Sequence, residues 1–143
     1  MKKKEIDYQK QGRKSKTKGA SGERELAKTL NDLLDIQAIR GRQFCGMAGN
    51  PDVVLQKQVG DDKVDIPGLH VECKRVECLQ LYPSLDQSKR DARTGEIPVV
   101  CHRRNNKPWV IIFELDRLKD LAKWVISLED TDGESKSGTT GDA

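Results

Sequence analysis

The segment LHVECKRVE, Leu69–Glu77, sets the expected fold because apolar and polar side chains alternate along it. In a pleated strand, successive side chains point to opposite faces. One face of such a strand would carry Leu69, Val71 and Cys73. The opposite face would carry His70, Glu72 and Lys74. The pattern predicts a strand with one face in the core and the other available for chemistry or exposed to solvent.

The length and composition predict one folded domain between two polar ends. The chain has 143 residues, of which 35% are hydrophobic and 34% charged, and its mean hydropathy is -0.73. A chain of this length can bury the core of one compact domain, but this polarity favours unstructured ends. We predict a basic flexible arm over residues 1–18, a folded domain over 19–128, and a disordered polar and acidic tail over 129–143.

The arm is dense in lysine and arginine, and the chain has a formal net charge of +3. A basic segment favours a polyanionic partner, most simply nucleic acid, because each neutralised phosphate releases counterions. The alternative for the arm alone is a solubilising tail. The four cysteines form no CxxC pair, and no apolar run reaches membrane-spanning length. These features predict a cytoplasmic protein with reduced thiols and no membrane association.

Hydrophobic periodicity and turn residues predict the order αβββαββα. A mixed central β-sheet flanked by helices, in the α/β class, fits this order. GDDKVDIPG is expected to be a polar connection between the second and third strands. The first helix is expected to begin at a capping Ser21 and the second at a capping Ser84. The predicted strands are centred on IQAIRGRQF, PDVVLQ, LHVECKR, IPVVCH and PWVIIFEL, and the last helix on LDRLKDLAKWVISL.

The first helix is expected to direct one glutamate toward the sheet. Glu23, Ala27, Leu30 and Leu34 follow one another at intervals of four, three and four residues, so they lie on one stripe. Glu23 therefore stands at the end of the apolar stripe and points toward whatever the helix covers. Glu25 is expected to face elsewhere.

The polar face of Leu69–Arg75 can form a small acidic site if the strand that opens at Asp52 is its neighbour. The carboxylates of Asp52 and Glu72 would then approach each other, with Lys74 one pleat further along. Mg²⁺ prefers a few carboxylate oxygens together with water and phosphate. A metal held in this way lowers the pKa of bound water, and a lysine can stabilise charge on phosphate. The spacing predicts phosphodiester hydrolysis by metal-activated water.

The chain resembles the PD-(D/E)xK nuclease superfamily, since Asn50-Pro51-Asp52 is followed by Glu72-Cys73-Lys74. That resemblance implies a restriction-endonuclease-like core. Between Gly19 and Trp109 the sequence is also similar to the Holliday junction resolvase branch known from phages and archaea. The segments that carry this similarity are KGASGERELAKTL, GRQFCGMAGNPDVV, IPGLHVECKRVE, DQSKRDA and IPVVCHRRNNKPW.

The resemblance implies a metal-dependent DNA endonuclease that is selective for branched DNA. By position, Glu23, Asp52 and Glu72 would hold Mg²⁺, with Mn²⁺ able to substitute. Lys74 would assist hydrolysis, and Gln87 corresponds to a glutamine that the superfamily often places near the site. Resolving a four-way junction takes two symmetric cuts, so a homodimer is also implied.

The link between Asp52 and Glu72 is longer than the family usually shows. Asp62 or Asp65 is therefore an alternative metal aspartate. We favour Asp52 because NPDVV opens an apolar strand, and we hold Asp65 as the alternate.

The basic residues near the predicted sheet end are suited to phosphate contacts: Arg75, Arg103, Arg104 and Lys107. Two other functions remain open. One is a nuclease acting on linear or sequence-specific duplex DNA, and the other is a non-catalytic nucleic-acid-binding protein on the same fold.

Overall fold

The computed structural model describes the backbone of residues 8–41 and 49–130, and the side chains of residues 19–41 and 49–130. Of the sequence predictions, residues 1–7 of the arm, residues 42–44 of the predicted strand IQAIRGRQF, and the tail from 131 onward lie outside the described residues. The chain divides into two compact units, Met1–Phe113 and Glu114–Ala143.

The first unit contains two helices and a six-stranded mixed sheet, so the predicted α/β class is confirmed and the architecture is consistent with a restriction-endonuclease-like core. The helices are α1 (Tyr8–Leu34) and α2 (Leu81–Asp91). The strands are β1 (Gln37–Arg40), β2 (Val53–Val59), β3 (Asp62–Asp65), β4 (Leu69–Arg75), β5 (Ile97–Arg103) and β6 (Val110–Ile112). The second unit contains a 3₁₀ turn, Leu115–Arg117, and helix α3 (Leu118–Asp130).

The sheet has the order β1-β2-β4-β5-β6, and β3 pairs with the second half of β2. Only β4 and β5 run parallel, and the remaining pairs are antiparallel. The β2–β4 pairing is short, with Val53 opposite Val71. The start of β2 therefore meets the middle of β4, which is where the predicted acidic residues lie.

Helices α1 and α2 cover opposite faces of β4. A Cβ atom at Gly22 of α1 would lie 2.7 Å from the Cβ of Arg75, so the glycine allows this helix to approach β4 closely. On α2, Gln87 accepts a hydrogen bond from Lys74 Nζ at 3.0 Å. Arg75 and Lys74 are adjacent in a strand and point to opposite faces. The two helices therefore enclose β4 between them.

The polar face of β4, which was expected to serve chemistry or to face solvent, is buried at His70 and Glu72, so exposure to solvent does not account for these two polar residues. His70 is 0% exposed and Glu72 is 3% exposed. Strand β4 lies between β2 and β5 and is therefore a central strand. The core around it is formed by buried apolar residues of both helices and four strands: Leu26, Ala27, Ala38, Val53, Leu55, Val71, Leu85, Ile97, Val99, Val100 and Cys101.

Three local predictions were wrong. Helix α1 begins at Tyr8, so Ser21 lies inside it, because the preceding lysines, arginines and glutamines are good helix formers. Helix α2 begins at Leu81, so Ser84 is a buried interior residue and no cap. The polar connection contains β3, and Gly60 adopts a positive φ of 60° at the turn into it.

Helix α3 confirms the predicted last helix, and none of its residues is buried. The large apolar side chains with the highest exposure in this unit are Leu115, 81% exposed, Ile126, 56%, and Leu118, 52%. Within the described ranges, no helix combines the length and the apolar character that crossing a membrane requires.

Candidate metal centre

The backbone fixes Asp52 where β1, β2 and β4 meet. Its amide donates a hydrogen bond to the carbonyl of Val71 at 2.9 Å, and its carbonyl accepts one from the amide of Gly41 at 2.8 Å. A Cβ atom at Gly41 would lie 2.1 Å from the carbonyl oxygen of Pro51. Only a residue without a side chain fits this close approach, so Gly41 is needed to hold the chain that enters β2.

The side chain of Asp52 reaches the Glu-x-Lys segment of β4. Its Oδ2 atom accepts a hydrogen bond from the backbone amide of Cys73 at 2.8 Å. Cys73 is the residue between Glu72 and Lys74. The structure therefore brings Asp52 to the strand that carries the predicted glutamate and lysine.

Acidic groups crowd around Asp52. Burial, followed by the charge and hydrogen bond of Glu72 and the charge of Glu23, raises the pKa of Asp52 from its ordinary 3.8 to about 7. The hydrogen bond from the Cys73 amide acts in the opposite direction and lowers it. In the absence of a cation, this carboxyl group is about half protonated near neutral pH.

Glu23 lies beside this group on α1, immediately after the close contact at Gly22. It is 8% exposed, and its carboxylate forms an ion pair with the guanidinium of Arg40 on β1. The helical stripe thus directs Glu23 inward, as predicted. The three predicted metal ligands, Glu23, Asp52 and Glu72, form one electrostatically coupled group.

Lys74 and Gln87 form a bonded pair next to the acidic group. The Lys74 ammonium donates to Gln87 Oε1 at 3.0 Å, and both side chains are half-buried. Because Gln87 projects from α2 onto the polar face of β4, it restricts where the ammonium can point. Gln87 thus holds the positively charged ammonium of Lys74 in a defined position.

The thiol between these residues is not a reactive group. Burial, followed by the charge of Asp52, raises the pKa of Cys73 to about 12. The neighbouring Cys101 on β5 also has a pKa of about 12, because of burial. Both cysteines therefore stay protonated at neutral pH, which excludes a thiolate nucleophile on these strands.

A second group of ligand atoms shares Glu72. One ligand atom each of His70, Glu72 and Asp91 lies within 4.8 Å of the other two, so this group can hold a metal ion. His70 Nε2 is 3.1 Å from Glu72 Oε1. Sequence reasoning missed Asp91 as a member. The available signal was its position four residues after Gln87, which places both on one face of α2.

The predicted phosphate-binding arginines meet at Glu25. Arg75 Nε donates to Glu25 Oε2 at 3.2 Å, and Arg103 forms an ion pair with the other oxygen of the same carboxylate. Arg75 also donates to the Asn105 side chain at 2.9 Å. Glu25 thus faces the end of the parallel strand pair β4 and β5. The sequence predicted only that Glu25 faces away from the apolar stripe and named no partner for it.

Arg104 and Lys107 are exposed on the turn between β5 and β6. The turn is closed by a hydrogen bond from the Lys107 amide to the Arg104 carbonyl at 3.3 Å, and Arg103 Nε donates to the Lys107 carbonyl at 2.6 Å. Both side chains are therefore open to a ligand at this end of the sheet.

The alternative aspartates lie away from Glu72. Asp62 and Asp65 are exposed on β3, which pairs with the second half of β2 and not with β4. Asp65 accepts a hydrogen bond from the side chain of Gln56 at 2.8 Å. Of the three candidates, Asp52 is the one that contacts the Glu-x-Lys segment.

Two cavities are lined by sequence neighbours of the acidic residues. One, of about 520 Å³, is lined by Lys74, Arg75 and Glu25 among others, and the second, of about 600 Å³, by Pro51 and Val53 on either side of Asp52. No family model, curated protein or solved structure significantly matches the chain.

Proposed function

We propose that the protein is a metal-dependent DNA endonuclease that holds Mg²⁺ between Asp52 and Glu72, with Glu23 beside them. The observation that carries the proposal is the 2.8 Å hydrogen bond between the Cys73 amide and Asp52 Oδ2. It anchors one carboxylate on the backbone between Glu72 and Lys74. Two carboxylates from adjacent strands are the oxygen ligands that a hard divalent cation prefers.

Electrostatic crowding supports a cation at this position. Burial and the charge of Glu72 oppose ionisation of Asp52, whose pKa is about 7. A divalent cation removes that repulsion, so it binds in place of the proton. When bound, Mg²⁺ would polarise the scissile phosphate and activate a water molecule.

Lys74 supplies the positive charge that the reaction requires on the phosphate. Its ammonium is held by Gln87 of α2 at 3.0 Å, on the same face of β4 as Glu72. A phosphodiester bound at the metal would receive the ammonium on a non-bridging oxygen, where negative charge develops during hydrolysis. Gln87 acts through Lys74 and is a positioning residue.

The basic end of the sheet is suited to the DNA backbone. Arg75 lines the same cavity as Lys74, while Arg104 and Lys107 are exposed on the neighbouring turn. Phosphates can replace Glu25 as the partner of Arg75 and Arg103, because guanidinium groups bind carboxylate and phosphate with the same geometry. These contacts orient the duplex and carry no sequence information.

Branched DNA is the substrate class that we propose, with a homodimer making the two symmetric cuts. The resemblance to junction resolvases is the main support.

The test offers labelled four-way junction, flap and linear duplex of matched sequence to the purified protein, with Mg²⁺ and separately with EDTA. Glu72→Gln is assayed alongside, and Asp86→Asn, at an exposed position of α2, is the control. We expect paired symmetric nicks on the junction that disappear with EDTA and in Glu72→Gln but persist in the control.

Equal cleavage of linear duplex would replace the proposal with a general or sequence-directed nuclease. Tight binding of every substrate without any cut would contradict catalysis and favour a DNA-binding protein. Mn²⁺ in place of Mg²⁺ is expected to support the same cuts.

A further inference from the structure

The carboxylate of Glu72 lies between two groups of ligands. On one side its charge and a hydrogen bond act on Asp52, and on the other its Oε1 atom is 3.1 Å from His70 Nε2. A carboxylate has two oxygens and can bridge two cations. Glu72 is 3% exposed, so surrounding atoms fix its orientation.

We propose that His70, Glu72 and Asp91 form a second metal position, which Glu72 bridges to the position at Asp52. Their ligand atoms lie within 4.8 Å of one another. Metal–ligand bonds of about 2.0–2.3 Å bring the ligands of one cation within roughly 4–4.6 Å of each other. A small closure of the three side chains therefore completes the site without a backbone movement.

The ligand atoms of the second position determine which metal ions it prefers. One imidazole nitrogen with two carboxylate oxygens suits Mn²⁺ or Zn²⁺ better than Mg²⁺, which favours an all-oxygen shell. The position at Asp52 and Glu72 offers only oxygens. The two positions thus differ in chemistry although they share one residue, and Mn²⁺ is a cation that both can bind.

The surroundings of His70 match those of a histidine ligand. The side chain is 0% exposed, and its second nitrogen, Nδ1, makes no hydrogen bond within the described part of the chain. Glu96 Oε2 lies 3.5 Å from Nδ1. A carboxylate at the far nitrogen is the usual device that orients a metal-bound histidine.

Helix α2 serves both positions. Gln87 contacts Lys74 on the Asp52 side, and Asp91, one turn later, reaches His70 and Glu72. Asp91 is half-buried at the end of the helix, so exchanging it disturbs little of the core. Asp86, which is exposed on the same helix, provides a matched control.

The test measures Mn²⁺ binding to the purified full chain by titration calorimetry, with electron spin-echo spectroscopy of the bound ion to detect a nitrogen ligand. We expect two equivalents in the parent protein, one in Asp91→Asn and two in Asp86→Asn. Nitrogen coupling is expected in the parent protein and in Asp52→Asn, and it should disappear in His70→Gln. Circular dichroism checks that each variant is folded.

A parent spectrum without nitrogen coupling would overturn the proposal, as would equal stoichiometry in Asp91→Asn and Asp86→Asn. If His70→Gln fails to fold, the Mn²⁺ stoichiometries of Asp91→Asn and Asp86→Asn still decide whether the second metal position exists. The inference does not require cleavage: nitrogen-coupled Mn²⁺ in a protein that cuts no DNA would support this position and reject only the nuclease proposal.

Discussion

Two charged clusters on β4 have opposite electrostatics. Near Arg75, two guanidinium groups share the carboxylate of Glu25, so opposite charges meet. At Asp52, buried carboxyl groups approach one another, and burial together with their charges raises the pKa of Asp52 to about 7. In the first cluster the chain supplies one carboxylate for two guanidinium groups, so one positive charge remains for an anion, whereas the second cluster needs a proton or a cation.

This difference supports the proposed division between a DNA-binding surface and a reaction site. An ion pair near the surface contributes little stability, and its arginine can exchange the carboxylate for a phosphate. Buried like charges destabilise the fold, and such arrangements concentrate where function requires them. We therefore propose that the acidic cluster carries catalysis and the arginine cluster contacts DNA, and each prediction tests that division.

The largest effect is expected from Glu72→Gln, which removes a charge from the acidic cluster and keeps the shape of the side chain. Cleavage should fall by about 1000-fold or more, because a bound cation contributes several kcal/mol to the transition state. Single-turnover rates with saturating enzyme measure the loss, with Asp86→Asn as the control. A rate within tenfold of the parent protein would remove Glu72 from the reaction site.

Lys74→Ala should reduce the single-turnover rate by about 100-fold, because charge on the phosphate loses its stabilising ammonium. Gln87→Ala should cost about tenfold, since it releases the ammonium without removing it. The double variant is expected to be no slower than Lys74→Ala alone, because the two side chains act as one unit. Additive losses would show that Gln87 has an independent role.

The pH dependence of the free energy of unfolding tests how strongly the folded state opposes ionisation of Asp52. Its folded pKa of about 7 lies above the ordinary 3.8, so the folded state retains the proton longer than the unfolded state does. The stabilising contribution is complete below about pH 4 and is lost as the pH rises through 7. Between pH 5.5 and 8 the free energy of unfolding should fall by about 2 kcal/mol.

Urea denaturation in EDTA measures this change, and Asp52→Asn serves as the reference because it cannot ionise. The fall should be absent in the variant, and in the parent protein it should shrink when Mn²⁺ is added. Identical pH profiles for the two proteins would contradict the crowding of acidic groups at this position.

The smallest effect concerns the arginine cluster. Glu25→Gln removes the carboxylate that Arg75 and Arg103 share, and should tighten DNA binding about threefold at low salt, with a steeper salt dependence. Fluorescence anisotropy at several salt concentrations measures both quantities. Asp32→Asn, exposed on the same helix, controls for net charge. Equal gains in the two variants would show that the cluster is not a specific phosphate site.

The sequence allowed prediction of those parts of the fold that show local periodicity. Strand β4 occupies the predicted LHVECKR, because alternation and the flanking Pro67 and Gly68 define its bounds. Strand β3 was missed because all four of its residues are exposed, so it has no apolar pattern, and backbone pairing to β2 holds it. The early start of α1 was missed because a Lys-rich helix segment shows no apolar stripe.

Prediction of the site depended on how far its residues lie apart in the chain. The Glu-x-Lys spacing lies within one strand, whereas Asp52 could be placed beside it only on the condition that its strand is a neighbour of β4. Asp91 comes from α2, and no sequence spacing shows that this helix crosses β4 above His70. Such tertiary pairs are set by packing, which a single sequence does not reveal.

The most direct test compares single-turnover cleavage by Asp52→Asn and Asp65→Asn in Mg²⁺. Asp52 contacts the amide between Glu72 and Lys74, whereas Asp65 is bonded to Gln56 on the β2–β3 hairpin. We predict that Asp52→Asn loses cleavage by about 1000-fold and that Asp65→Asn retains the parent rate. Loss in Asp65→Asn with retained cleavage in Asp52→Asn would contradict the assignment of the metal centre to the start of β2.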